Sequence, residues 1–145
     1  QKLSWEELQR MFGKQGFSIW ERMRGIDERV VAVEKTKRKS IGKHHTFNVD
    51  TSDMNEVLSV VKRQIRTILA DVKKQGFATF RTVVLTVRFA DFTTVTRSLT
   101  VDRSMRTRQD LELKATKLLL PFFEKKENPN KKAIRLIGLR VEKLI

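Results

Sequence analysis

The sequence predicts an α+β fold for residues 40–145: a four-stranded antiparallel sheet with two helices on one face and the other face bare. Three observations carry this. Apolar residues recur at helical spacing over about 53–75 and 107–124. They alternate with polar residues over about 40–50, 79–90, 92–101 and 133–145. In chain order these segments run strand, helix, strand, strand, helix, strand, the ferredoxin-like β-α-β-β-α-β arrangement. A short helical element precedes it.

In residues 1–25, Ser4 and Glu7 stand at capping-box spacing at the start of "WEELQRMF". Gly13 and Gly16 punctuate, and "FSIWERMRG" then places Phe17, Trp20 and Met23 on one stripe, with Gly25 as the stop. Helices this short do not persist alone in water, so the segment reads as the end of a domain that begins upstream. Residues 26–39, "IDERVVAVEKTKRK", form a connector in which "VVAV" has strand character and "EKTKRK" is a charge run. Such a run is either a solvated linker or a basic tether lying along phosphates.

The first strand of the main unit, "SIGKHHTFNVD", directs Ile41 and Phe47 inward, which carries Lys43 to the same side. The following helix opens at Asp53 and Glu56 in capping-box spacing and closes at Gly76, with Val57, Val61, Ile65, Ile68 and Val72 on its inner face. The strand over 79–90 joins "FTTVTRSLTV" through a tight connection at Asp91–Thr93, a hairpin pattern. Thr107 caps the second helix, Asp110 takes its third position, and Leu111, Ala115, Leu118 and Phe122 form its buried stripe. Pro121 predicts a kink or early fraying. "KKENPNKK" is a polar turn before the final strand, "AIRLIGLRVEKLI".

Charge narrows the class of partner. Among 145 residues, 31 Lys and Arg face 17 Asp and Glu, a net charge of +14. That excess points to a polyanion, nucleic acid first and an anionic membrane surface second. No apolar run approaches the roughly 18–20 residues of a membrane span, and the polar start "QKLSWEELQR" carries no secretory signal. The absence of cysteine excludes disulfides and thiolate chemistry. His44 and His45 are neighbours on a strand and point to opposite faces, a poor joint metal site.

Alternation also sorts the strands into faces. Val83, Leu85, Val87, Phe89, Ile137, Leu139 and Val141 point inward. Thr82, Val84, Thr86 and Arg88 are left outward, with Thr94, Thr96, Ser98 and Thr100 on the hairpin partner and Leu136, Gly138 and Arg140 on the last strand. This outer face is nearly free of aromatics and acid. Hydroxyls and arginine donate to phosphate oxygens, and small residues let a partner come close. A single threonine is explained by strand propensity alone. A row of four hydroxyls beside Arg88 and Arg140 points instead to a duplex held by its backbone. Arg97 interrupts the apolar side of the same strand. No Gly-rich phosphate loop, Ser/His/Asp set or carboxylate cluster for two-metal chemistry is present, so the residues describe a binding module.

The pieces "FGKQGFSIWERMRGIDERVV", "KRKSIGKHHTF", "VVLTVRFADFTTVTRSLTV" and "AIRLIGLRVEKLI" resemble, in that order, the C-terminal part of Y-family translesion DNA polymerases, the DNA polymerase IV (DinB-like) branch most of all. The resemblance implies that 1–25 is the end of the thumb, 26–39 the tether and 40–145 the little finger. In that family the little finger lays its sheet in the major groove of template–primer DNA and grips both backbones. By this resemblance the DNA contacts fall on Ser40, Lys43 and Thr46 of the first strand. They continue on Thr96, Arg97, Ser98 and Thr100 of the hairpin and Arg140 of the last strand. Lys39, at the end of the charge run, and Arg88, on the outer face, complete the candidate set. Leu136 stands where some archaeal members carry an arginine. The resemblance places the magnesium-binding acids in a palm upstream of Gln1, so catalysis belongs to the parent protein and no cofactor to this segment. It further implies a monomer of the prokaryotic cytoplasm and nucleoid, with a sliding clamp reached through the parent.

Two other classes compete. A free-standing ferredoxin-like RNA-binding module presents stacking aromatics on its central strands, whereas the outward positions here are Thr, Ser and Arg. A protein-assembly domain would use the same face for another protein, with binding that persists at high salt.

Overall fold

The computed structural model describes residues 3–31 and 37–145, and the chain divides into two compact units, residues 1–36 and 37–145. The first unit is a pair of helices, α1 (Trp5–Phe12) and α2 (Gln15–Arg22). Ser4 Oγ accepts from the Glu7 N–H at 3.2 Å while Glu7 Oε2 accepts from the Ser4 N–H at 2.8 Å, the reciprocal box expected from the spacing. Gly16 is where the two helices touch. A Cβ built there would sit 2.4 Å from the backbone of Leu8 and Gln9, so only glycine permits this approach. Leu8 is buried beneath the contact. Trp5 meets Phe17 edge-on, Phe17 stacks on Trp20, and the Arg24 guanidinium lies 3.8 Å over the Trp20 ring. Beyond α2, the Gly25 N–H donates to Arg22 O and the Ile26 N–H to Glu21 O, the paired bonds of a Schellman stop with Gly25 at φ +75°. Val30 and Val31 are exposed and outside any strand; the remainder of the "VVAV" expectation and the first half of the charge run, 34–36, lie outside the described residues.

The second unit runs β1 (Ser40–Thr51), α3 (Met54–Lys74), β2 (Phe80–Phe89), β3 (Thr94–Met105), α4 (Arg108–Leu119), a single 3-10 turn (Leu120–Phe122) and β4 (Ile134–Glu142). The strands lie in the order β1-β4-β2-β3, every neighbouring pair antiparallel. Each βαβ unit is thus split by one strand: β4 separates β1 from β2, and β2 separates β3 from β4. Helix α3 covers β1 and β4, while α4 covers β2 and β3. Both helices lie on one face, where Phe80, Ile65, Ile68, Leu85, Leu111, Leu119, Phe122, Ile137 and Leu139 are almost wholly removed from water.

Local chemistry sets the boundaries. Asp53 caps α3 by accepting from the Asn55 N–H at 2.8 Å, and the Asp53 N–H is taken by Thr51 Oγ1 rather than by Glu56. Gly76 closes α3 at φ +80°, with Gly76 N–H to Lys73 O and Phe77 N–H to Val72 O. Helix α4 stops at Leu119, short of the expected 124, because Pro121 has no N–H and its ring collides with the preceding turn. The buried row on α4 runs Leu111, Ala115, Leu119 at four-residue spacing, so Leu119 rather than Leu118 is fully buried with Phe122. Gln64 is buried on α3 and donates to the Ile137 carbonyl at 3.0 Å, tying the helix to the backbone of β4.

Candidate nucleic-acid interface

Strand register turns the bare face into a lattice of four rows across four strands. In the order β1, β4, β2, β3 the rows are Ser40–Glu142–Thr82–Thr100, then Gly42–Arg140–Val84–Ser98. His44–Gly138–Thr86–Thr96 and Thr46–Leu136–Arg88–Thr94 follow. The hydroxyl row on β3 lies along one side of this face. Thr82 and Thr100 hydroxyls meet at 2.8 Å, Thr86 and Thr96 at 3.2 Å, and Arg88 Nε donates to Thr94 Oγ1 at 2.9 Å. In each Thr–Thr pair one hydroxyl spends its proton on the other, and the second keeps a proton for an outside acceptor. Ser98 is exposed between them. Cross-strand bonds thus orient the hydroxyls along this side of the face, with one free proton left in each Thr–Thr pair.

The centre is low. A Cβ on Gly138 would meet the His44 ring at 3.0–3.2 Å, so His44 lies across the glycine. A Cβ on Gly42 would meet Arg140 Cβ at 2.9 Å, so the Arg140 stem lies against that glycine. Val84, beside Arg140 in the lattice, is buried although it belongs to the bare face. His45, by contrast, faces the helices and packs edge-on against Phe47. The two histidines lie on opposite faces, as their adjacency requires.

Of the candidate contacts, Ser40, Thr46, Arg88, Thr96, Ser98, Thr100 and Arg140 lie on the bare face. Lys39 is exposed just before β1. Lys43 and Arg97 do not join them. Lys43 is on the helix side, its Nζ 2.8 Å from Asp71 Oδ2, and that contact holds the Asp71 carboxyl below its ordinary range. Arg97 pairs with Leu85 in register and grips Glu127 with two nitrogens, at 2.8 and 2.6 Å. The bond from Arg97 lowers the Glu127 pKa, and Glu127 raises that of Arg97. No bulge turns Arg97 around, since register is regular from Thr94 to Thr100 and breaks only between Thr100 and Met105.

The expectation of a face nearly free of acid is corrected by Glu142, which sits in the first row with Oε1 2.7 Å from Arg140. His44 is the other residue the sequence reading passed over. Alternation places each of them on this face, but only the pairing of β4 with β1 and β2 shows what they meet there. At the far end of the face, β4 bulges at Arg135, whose guanidinium lies 4.7 Å over the exposed Phe92 ring and 3.5 Å from Asp50. Among the described residues no group of three or more His, Cys, Asp or Glu is placed to hold a metal ion. Nor is any described helix long and apolar enough to cross a membrane.

The geometry defines a class: an open-faced α+β domain with a bare face of hydroxyls and arginines above a helix-covered core. The chain belongs to the impB/mucB/samB family, its residues 38–145 matching the family's C-terminal domain. It is 35% identical over 136 residues to a DNA polymerase IV of Leptospira interrogans, covering 92% of this chain and 37% of that protein. It is 34% identical to a DNA polymerase IV of Clostridium perfringens, with 99% and 38% covered. The chain thus spans well under half the length of these relatives. Among solved structures, a little finger domain of PolIV in complex with a beta-clamp processivity factor superposes with TM-score 0.54 at 22% identity, covering 71% of this chain and 86% of that one. A DinB family error-prone polymerase from Sulfolobus solfataricus gives TM-score 0.61 at 15% identity, with 99% and 40% covered. These likenesses establish the fold.

Proposed function

We propose that the bare face of the 37–145 unit grips duplex DNA through its phosphates, as the little finger of a lesion-bypass DNA polymerase. The observation that carries this is the lattice itself: Arg88 and Arg140 among hydroxyls already oriented by cross-strand bonds, on a chain of net charge +14. Four strands at about 4.8 Å spacing and four rows about 7 Å apart give a face about 14 Å by 20 Å, commensurate with a major groove roughly 12 Å wide. The glycines let the His44 ring and the Arg140 stem lie flat on the sheet, and the donors around them meet the duplex backbone. Ser40, Thr46, Arg88, Thr96, Ser98, Thr100 and Arg140 make up this contact set, with Lys39 at its margin. Lys43 and Arg97 reach phosphate only by releasing Asp71 and Glu127. Aromatic stacking of single-stranded bases has no platform here, because no row contains an aromatic apart from the His44 ring.

The relatives' names carry the wider reading. The parent protein would extend a primer end with magnesium held by residues outside this segment, and this segment would hold template–primer DNA beside that centre. A sliding clamp is the second partner, engaged through the parent.

Duplex binding by the chain should be tolerant of sequence and fall steeply with salt, with log K against log salt sloping at about −4 to −6 for some four to seven phosphates neutralised. Arg140→Ala should weaken binding to every duplex alike and make the slope shallower by about 0.9. Fluorescence anisotropy across a salt series measures both. A salt-independent affinity, or tighter binding to single-stranded RNA, overturns the reading.

A further inference from the structure

The acid on the face is out of character with everything around it. Glu142 is the one carboxylate in the lattice, and its Oε1 takes the Arg140 guanidinium at 2.7 Å. It also borders a cavity of about 600 Å³ lined by Lys37, Arg38, Lys39, Ser40 and Lys143, where it is the single acidic side chain. A cluster of cations at this end of the sheet and the Arg140 guanidinium therefore lie around one acid. Arg140 and Glu142 are two residues apart on β4, both pointing to the bare face, and both are partly open to solvent.

We infer that Glu142 is a built-in competitor for phosphate: a positioning residue that occupies Arg140 in the free protein and limits how tightly the face holds DNA. The inference rests on the phosphate-gripping reading above. A phosphate that reaches Arg140 must displace the carboxylate or remain beside a like charge, and each choice lowers affinity relative to a face without the acid. Glu142 sits between Ser40 and Thr82 in its row and two positions from Arg140 on the same strand, so the carboxylate stays near the guanidinium after it is displaced. The consequence is a grip that forms and releases easily, with the acid returning to Arg140 as the phosphate leaves.

The experiment is a double-mutant cycle on the chain, with Glu142→Gln, Arg140→Gln and the pair, titrated against a blunt duplex across a salt series. Glu142→Gln should bind about three- to tenfold tighter near 0.1 M salt, because phosphate no longer has to displace a carboxylate to reach Arg140. That gain should vanish in the Arg140→Gln background. Unchanged or weaker binding by a folded Glu142→Gln, while the parent chain binds with steep salt dependence, overturns the competitor role and leaves the phosphate reading intact. A gain of equal size in the Arg140→Gln background overturns action through Arg140. Absence of duplex binding in both the parent chain and Glu142→Gln overturns both readings. Glu142→Ala, followed by thermal melting, guards against a change in folding and should give the same direction.

Discussion

Arg97 and Lys43 are long cations on edge strands, and what they do is set by the direction their Cβ atoms leave the sheet. Each points to the helix side and ends on an acid, Glu127 for Arg97 and Asp71 for Lys43. Replacing either with alanine should leave the salt slope of duplex binding unchanged, in contrast to Arg140→Ala, and the same anisotropy series checks this. A shallower slope for Arg97→Ala would place it among the DNA contacts. At the hairpin tip, Lys132 holds the Asp91 carboxyl, with help from the Thr93 N–H, down to about 2. A depressed carboxylate stabilises the fold above its unfolded value near 3.9, and the contribution fades as pH falls through the folded one. The Asp91 carboxyl should therefore titrate near pH 2 by NMR, and Lys132→Ala should return it toward its ordinary value. Gly16 offers a steric test. Alanine there drives a methyl into the α1 backbone, so Gly16→Ala should cost about 1–3 kcal/mol and separate the helix pair, visible as a loss of helical circular dichroism. Residue identity, residue type and even burial were legible at most of these positions. The pairing of Arg97 with Glu127 was not, because the partners are 30 positions apart and meet only when the loop after α4 folds back.

At the scale of elements, end signals proved more informative than periodicity. Ser4, Asp53 and Thr107 each cap the helix they precede, and Gly25 and Gly76 each close one with a left-handed residue. The Thr107 hydroxyl both accepts from the Asp110 N–H and donates to the Asp110 carboxylate, which lowers the Asp110 pKa. Thr107→Ala should cost about 1 kcal/mol in a chemical denaturation series. Where the expectation slipped, a competing local rule decided. The stripe on α4 was extended past Pro121, but proline's missing N–H ended the helix early, and the four-residue row Leu111, Ala115, Leu119 took the burial expected of Leu118. Strand interruptions at Arg135 and between Thr100 and Met105 left no mark in the alternation, since a bulge depends on what lies opposite.

For the whole molecule, division into two units has a direct consequence. Residues 37–145 contain a closed apolar core from both helices and all four strands, whereas the described residues 3–31 bury chiefly Leu8 and leave Met11, Phe12, Phe17 and Met23 exposed. Expressed alone, 37–145 should unfold in a single cooperative transition, followed by far- and near-ultraviolet circular dichroism. Non-coincident melts by the two probes would contradict that. The sequence by itself determined the order of elements, the capped helix starts, the inward set of each strand, the positive charge and, through ordered motifs, the family. Each of these is written within a few neighbouring residues, by period, by cap or by composition. Only the tertiary structure decided that β4 inserts between β1 and β2. That insertion sets His44 over Gly138 and brings Ser40 and Thr82 to either side of Glu142, while the acids that receive Lys43 and Arg97 come from elements distant in sequence. Strand order and register are set by how distant apolar surfaces bury one another, and no single strand carries that information.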